Sequence, residues 1–228
     1  MPHIRFSPSE HKIVSFDIFD TLIERECLLP FDVFFLAAMK LYGEKGMAVR
    51  FTLSRIAAEA LSREGMPGRE TTLDRIYEFL TWEAPAISSL KEFELSTEQE
   101  ICRPKKSGIE LMNKALEAQT TVVLTTDMYL PQPFIRQILT KCGICGYDRI
   151  FLSNEYGRNK STGTLFETLK ETMGVKAGEV LHIGDNIKAD YLGARKAGID
   201  SRLIMRNHFL KRLFFSKIGV AESLNLRY

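Results

Sequence analysis

The chain is poor in cysteine, in net charge and in long apolar runs. Four cysteines among 228 residues, Cys27, Cys102, Cys142 and Cys145, are too sparse for a disulfide framework, and they point to a reducing cytoplasm. Cys142 and Cys145 form a C-x-x-C pair, half of a zinc site at most. With no second pair to match it, it reads as plain structural cysteines where a helix runs into a loop. Lys plus Arg number 31 against 29 for Asp plus Glu, a net charge of +2, so bulk electrostatics give no reason to expect a nucleic-acid partner. The longest uninterrupted apolar run, Val33 to Met39, has seven residues, whereas a spanning helix needs about 20. No membrane span is expected. The segment from Met1 to Lys12 carries Pro2, Pro8 and Glu10 and no apolar stretch, so it does not read as a secretory signal.

What remains is the balance of a folded soluble protein, 45% apolar and 26% charged. At about 150 residues per domain, the length suits one domain with a large insert as well as two domains. Short, continuous apolar runs predict strands at 12–16, 121–125, 149–152, 179–183 and 201–205, of the kind buried on both faces of a parallel sheet. Helical periodicity predicts helices at 107–119, 133–142, 164–173 and 187–197, the last three each stopped by a glycine: Gly143, Gly174 and Gly198. Strand and helix alternate from Ser107 to Met205, which implies a Rossmann-like parallel sheet with helices on both faces, an α/β fold.

Residues Glu24 to Arg103 break this rhythm. They read as four helices, 31–41, 52–63, 72–82 and 85–102, punctuated by Gly43 and Gly46, Gly65-Met66-Pro67-Gly68 and Ala84-Pro85, with no strand-like run. An all-helical insert of this size after the first strand is far longer than a connecting loop. The expected organisation is therefore a core of 1–23 and 104–205, a helical cap of 24–103, and an amphipathic tail of 206–228.

Ligands of open parallel sheets bind beyond the carboxyl ends of the strands. Asp17 and Asp20 follow the first strand, Thr126 and Asp127 the second, and Gly184-Asp185 with Asp190 the fourth; Lys160 lies in the loop before the helix at Thr164. Carboxylates gathered at one edge repel unless a cation holds them, and hard oxygen ligands favour Mg²⁺. Taken singly, each has an ordinary alternative: Asp17 a turn former, Thr126 a cap, Lys160 a solvated loop lysine.

In order along the chain, these residues resemble the haloacid dehalogenase-like hydrolase superfamily. Ser15-Phe16-Asp17-Ile18-Phe19-Asp20-Thr21-Leu22 resembles its first motif, and Val122-Val123-Leu124-Thr125-Thr126-Asp127 its second. Lys160 matches the third, and Gly184-Asp185-Asn186-Ile187-Lys188-Ala189-Asp190 the fourth. The helical insert stands where that family carries a helical cap. The resemblance implies a Mg²⁺-dependent phosphomonoester hydrolase acting through an aspartyl-phosphate on a small phosphorylated metabolite, such as a sugar phosphate. Asp17 would be the nucleophile. Asp17, the backbone carbonyl of Phe19 and Asp185 would hold the metal, with Asp190 completing the site directly or through water; Thr126, Asp127 and Lys160 would bind the substrate, Thr126 and Lys160 also steadying the transferring group. The phrases around Asp17 and Asp127 are similar to a bacterial subgroup of which some members are joined to glycosyltransferases. A further domain or such an enzyme is then the expected partner beyond the C-terminus.

One position departs from the pattern. Family phosphatases usually carry a second Asp two residues after the nucleophile, and here that residue is Phe19. A Phe moves no protons, and general acid–base help is typically worth 10²–10⁴-fold. Asp20 is either a displaced surrogate or a turn residue. Members that break carbon–halogen bonds also have an aromatic there, but they lack the Gly-Asp motif retained here. The alternatives are thus a 2-haloacid dehalogenase-like hydrolase, or a degenerate domain that binds a phosphorylated ligand in glycan assembly. His182 is expected to be a core histidine with a backbone partner. Phe209, Leu210, Leu213, Phe214 and Ile218 keep helical spacing beside Lys211, Arg212 and Lys217, a pattern for packing on the core or on a neighbouring domain more than for lying on a membrane.

Overall fold

The computed structural model describes residues 10–66 and 69–205; the amphipathic tail expected at 206–228 lies outside them. Its strands are β1 (Ile13–Phe16), β2 (Ile23–Arg25), β3 (Cys102–Pro104), β4 (Thr121–Thr126), β5 (Arg149–Leu152), β6 (Val180–Gly184) and β7 (Asp200–Leu203). Its α-helices are α1 (Asp32–Tyr42), α2 (Lys45–Arg63), α3 (Leu73–Glu78), α4 (Ala84–Ile101), α5 (Lys106–Glu117), α6 (Gln132–Lys141), α7 (Ser153–Tyr156), α8 (Thr164–Met173) and α9 (Gly193–Lys196). The described residues fall into two compact units, one of 10–24, 69–70 and 104–205, the other of 25–66 and 71–103.

The first unit is an α/β sandwich around a five-stranded parallel sheet in the order β5-β4-β1-β6-β7. The chain steps from β1 to β4 and β5 in one direction, then from β6 to β7 in the other. Right-handed crossovers therefore put α5 and α6 on one face and α8 and α9 on the opposite face. On the second face, Ile13, Val123, Phe151 and Val180 pack with Leu165, Phe166 and Leu169 of α8 and with Ala194 of α9. Each large apolar side chain so buried contributes roughly 1.5–3 kcal/mol. The strand order reverses beside β1, so the carboxyl ends of β1, β4 and β6 frame the crevice such sheets use for ligands.

The second unit is helical. Its core includes Phe34, Ala38, Phe51, Ala58, Ile76 and Leu90. At its centre is a charged residue, the fully buried Arg55. Its guanidinium grips Glu94 through two hydrogen bonds of 2.9 and 2.8 Å, lies 4.3 Å from the Phe34 ring centroid, and reaches Glu59 at 3.1 Å. Tyr77 donates to the same Glu94 at 2.8 Å.

Three expectations for this stretch need correction. The chain does form strands here, β2 and β3, which pair as a two-stranded sheet where it leaves and re-enters the first unit. At three residues each, they carry no legible periodicity. Helix α2 begins at Lys45, so Gly46 lies inside its first turn and Gly43 alone ends α1. Helix α3 stops at Glu78 and not at Trp82, capped by the Phe79 N–H on carbonyls of its last turn; the Trp82 indole donates to Tyr42 Oη at 2.8 Å and packs edge-on to Phe51 at 5.5 Å. In the first unit, the helix expected over 187–197 is a wide π-turn, Ile187–Leu192, followed by the single turn of α9.

Candidate active site

Strand β1 ends by handing Asp17 to the crevice. The Asp17 N–H still donates to Ile183 O at 2.9 Å, continuing the sheet for one residue and fixing where the carboxylate starts. The chain then closes a tight turn in which Leu22 and Ile23 both return to Ile18 O, at 2.8 and 3.0 Å. The turn brings Thr21 Oγ1 back to Asp17 Oδ2 at 3.2 Å and to Asp185 Oδ1 at 3.4 Å. Within it, Phe19 is buried, and Asp20 has a left-handed backbone, φ 57°, which Asp tolerates better than most residues. The nearly buried Lys105 reaches the Asp20 carbonyl at 2.5 Å and the Met205 carbonyl at 2.8 Å, holding that turn in place.

Lys160 comes in from the loop before α8 and is 3% exposed. Its ammonium donates to Asp17 Oδ1 and to Asp190 Oδ1, both at 2.5 Å. Its backbone N–H donates to both oxygens of Asp127, at 2.9 and 3.2 Å, so the carboxylate after β4 anchors the lysine loop. Gly193 permits the other side of this fit: a Cβ there would stand 2.0 Å from Lys160 O.

Asp190 is delivered by the π-turn after β6. Tyr191 N–H returns five residues to Asn186 O at 3.2 Å, and such widened turns recur at functional sites. The turn lets Asp190 Oδ2 accept from the N–H groups of Asp185 and Asn186, at 3.0 and 2.8 Å. Gly184 makes room for it, since a Cβ at that position would lie 2.2 Å from the Asp190 carboxyl carbon.

The electrostatics follow from burial and neighbours. Burial pushes the Asp17 carboxyl up to about 7; Lys160 opposes the shift, and Asp190 and Asp185 add to it. Burial would depress Lys160, but Asp17, Asp190 and Asp127 outweigh it and hold the ammonium above the usual lysine range. For Asp190, burial pulls upward, yet Lys160 and a hydrogen bond from His182 hold the carboxyl far below its ordinary value. His182 is kept low chiefly by burial, against the pull of Asp190.

Asp17, Asp185 and Asp190 each offer a carboxylate oxygen, and these oxygens all lie within 4.8 Å of one another. Three hard oxygen donors at that spacing fit a small divalent cation such as Mg²⁺. Thr126 is buried at the carboxyl end of β4, opposite Leu152 of β5. Among the described residues, the sequence-expected site residues that meet through side chains are therefore Asp17, Asp185, Asp190 and Lys160. Asp127 joins through the Lys160 backbone. His182 is indeed buried, with the Ser15 backbone as a partner and further hydrogen bonds to the side chains of Ser15 and Asp190; Ser15, Thr125 and Lys105 were not anticipated. A polar residue inside an otherwise apolar strand was the available signal for Ser15. Cys142 is buried and Cys145 exposed, and neither is in a disulfide.

The family model for haloacid dehalogenase-like hydrolase matches residues 11–198, and the chain belongs to that family. No curated protein matches. Solved structures share the fold at low identity. YfnB of Bacillus subtilis bound to magnesium is 20% identical, with TM-score 0.57, over 86% of this chain and 87% of that one. L-2-haloacid dehalogenase of Xanthobacter autotrophicus is 15% identical, with TM-score 0.60, over 89% and 82%. A HAD phosphatase of Thermococcus onnurineus is 19% identical, with TM-score 0.59, over 86% and 87%. The protein is thus a hydrolase of this family, whose solved relatives include both phosphatases and dehalogenases. No described helix is long and apolar enough to cross a membrane.

Proposed function

We propose that the protein is a Mg²⁺-dependent phosphomonoester hydrolase acting on a small phosphorylated metabolite, with a sugar phosphate as the leading candidate. The observation that carries this reading is the trio Asp17, Asp185 and Asp190, whose ligand oxygens lie within 4.8 Å of one another. Asp17, Asp185 and the Phe19 carbonyl would hold Mg²⁺, with Asp190 completing the site directly or through water; when bound, the ion supplies positive charge against the carboxylates and the phosphoryl oxygens. Ionised Asp17 attacks phosphorus: an O–P bond forms to its carboxylate as the ester O–P bond breaks, and the departing alkoxide takes a proton from water to leave as the alcohol. Water then cleaves the aspartyl-phosphate, returning Asp17 and releasing phosphate. Lys160 and Thr126 steady the transferring oxygens, and Asp127 keeps the Lys160 loop in place. Four cysteines held as thiols support action in a reducing cytoplasm. A further domain or a glycosyltransferase is the partner class we propose.

Phe19 supports a second reading, carbon–halogen hydrolysis, because halide leaves without a proton. A screen of sugar, nucleotide and lipid-precursor phosphates, run beside 2-haloacids, with Mg²⁺ and then with chelator, separates the two. Phosphate release that stops on chelation is expected. Halide release that survives chelation would overturn the phosphatase reading, and tight phosphate-ester binding without turnover would mark a binding domain.

A further inference from the structure

Three buried polar side chains under the site have no role in the chemistry above. Ser15, Thr125 and His182 are each 0% exposed, on the adjacent strands β1, β4 and β6. Ser15 stands directly opposite His182 in the β1–β6 register. Thr125 Oγ1 and Ser15 Oγ are 2.8 Å apart, Ser15 Oγ and His182 Nδ1 2.9 Å, and His182 Nε2 and Asp190 Oδ1 3.1 Å. The neighbouring positions on these strands are apolar, among them Val14, Phe16, Val123, Leu124, Leu181 and Ile183. Apolar residues would fill the same space without burying donors and acceptors that must be paired.

We propose that Thr125, Ser15 and His182 form a directed hydrogen-bond chain that positions the Asp190 carboxylate. Hydrogen counting gives the direction. An ionised Asp190 only accepts, so His182 donates from Nε2. A neutral imidazole then has a lone pair at Nδ1, so Ser15 donates to it, and the Ser15 oxygen accepts from Thr125. The Phe166 ring packs against the imidazole, with the two ring centroids 4.7 Å apart. The chain occupies one edge of Asp190 Oδ1 while Lys160 takes the other, and Oδ2 is held by two backbone N–H groups. The carboxylate is thereby fixed from both ends. His182 acts through Asp190 and is a positioning residue, as outer partners of metal-binding groups commonly are.

The inference rests on reading Asp190 as part of the cation site, so the test has one readout that needs no metal. In the metal-free protein at neutral pH, ring-nitrogen resonances should show His182 as the neutral Nε2–H tautomer. Ser15→Ala should move the Nδ1 resonance and leave Nε2 protonated. A proton on Nδ1, or no change in Ser15→Ala, overturns the chain. By calorimetry, folded His182→Phe should bind Mg²⁺ about 10–100-fold more weakly. His182→Gln, whose amide can donate to Asp190, should recover most of that loss. Should His182→Phe fail to fold, the metal comparison passes to Ser15→Ala, where a several-fold loss is expected and unchanged affinity contradicts the proposal. If the wild-type protein itself binds no Mg²⁺, the cation reading of Asp190 fails separately. The Asp190 carboxyl-carbon resonance then decides the positioning role: it should shift in His182→Phe and return in His182→Gln, and an unmoved resonance overturns it.

Discussion

Both units of this protein bury charge, and they do so to different ends. In the helical unit, among the described residues, buried Arg55 pairs with buried Glu94 and with the partly exposed Glu59, which Arg63 also meets, and Tyr77 adds a hydroxyl to Glu94. In the α/β unit, Asp17, Asp185 and Asp190 gather where Lys160 supplies a single ammonium. A balanced cluster holds helices in register; replacing it with apolar residues would cost little, whereas halving it would cost much. An unbalanced cluster keeps negative charge that a divalent cation can use; Asp17 is raised chiefly by burial, and the neighbouring Asp190 and Asp185 add to that shift. Formal charge thus separates the structural cluster from the candidate chemical one.

The sharpest way to break this contrast is Asp17→Asn. The amide is isosteric but poorly nucleophilic, so the folded variant should keep less than about a thousandth of wild-type kcat. More than about a tenth would rule out covalent catalysis by Asp17. In the helical unit, Arg55→Leu should cost about 3–5 kcal/mol in urea unfolding by stranding the buried Glu94. The double variant Arg55→Leu/Glu94→Leu should regain much of it, and a double variant as unstable as the single one would contradict the structural reading.

Asp185 and Asp190 sharpen the contrast within the α/β unit. Asp190 is 1% exposed and held by Lys160, His182 and two N–H groups, whereas Asp185 is only partly buried. Asp185→Asn should lower Mg²⁺ affinity at least about tenfold with little loss of stability. Asp190→Asn should lower the unfolding midpoint more than Asp185→Asn does. Equal effects of the two substitutions on both measurements would show that the residues are equivalent.

The smallest expected effect is on pH dependence without metal. Folded Asp17 holds its proton up to about 7, while the ordinary value is 3.8. Between those values the unfolded chain binds fewer protons, so this residue's contribution to stability falls as pH rises through the window. Asp17→Asn removes that dependence. Its thermal midpoint in chelator should exceed wild type by several degrees at pH 8, with the gap narrowing toward pH 5. A gap that widens toward acid would reverse the sign assigned to Asp17.

Most of the sheet and the site's main residues were legible because they leave strong local marks. The apolar runs of β1, β4 and β6 end in Asp17, Thr126-Asp127 and Gly184-Asp185, and α8 lies between glycines at 163 and 174. Other features lack such marks. Strands β2 and β3 are too short for periodicity, and the π-turn at 187–192 differs from an α-helix only in which carbonyl each N–H chooses. The partner of His182 depends on Asp190, eight residues away, turning back beneath the strand end. Arg55 sits on helix α2 between Ser54 and Ile56, and nothing local shows that Glu94 awaits it 39 residues on.

Trapping the phosphoenzyme tests the central claim most directly. An activated aryl phosphate with Mg²⁺, quenched within milliseconds in acid, should give a burst of phenol equal to the enzyme and a phosphate adduct on Asp17, because Phe19 offers no base for the second step. Phe19→Asp should shorten the life of that adduct by about tenfold or more, since base catalysis of this kind is worth 10²–10⁴-fold when well placed. Turnover without a burst, with no adduct on Asp17 in either protein, would contradict covalent catalysis at this carboxylate.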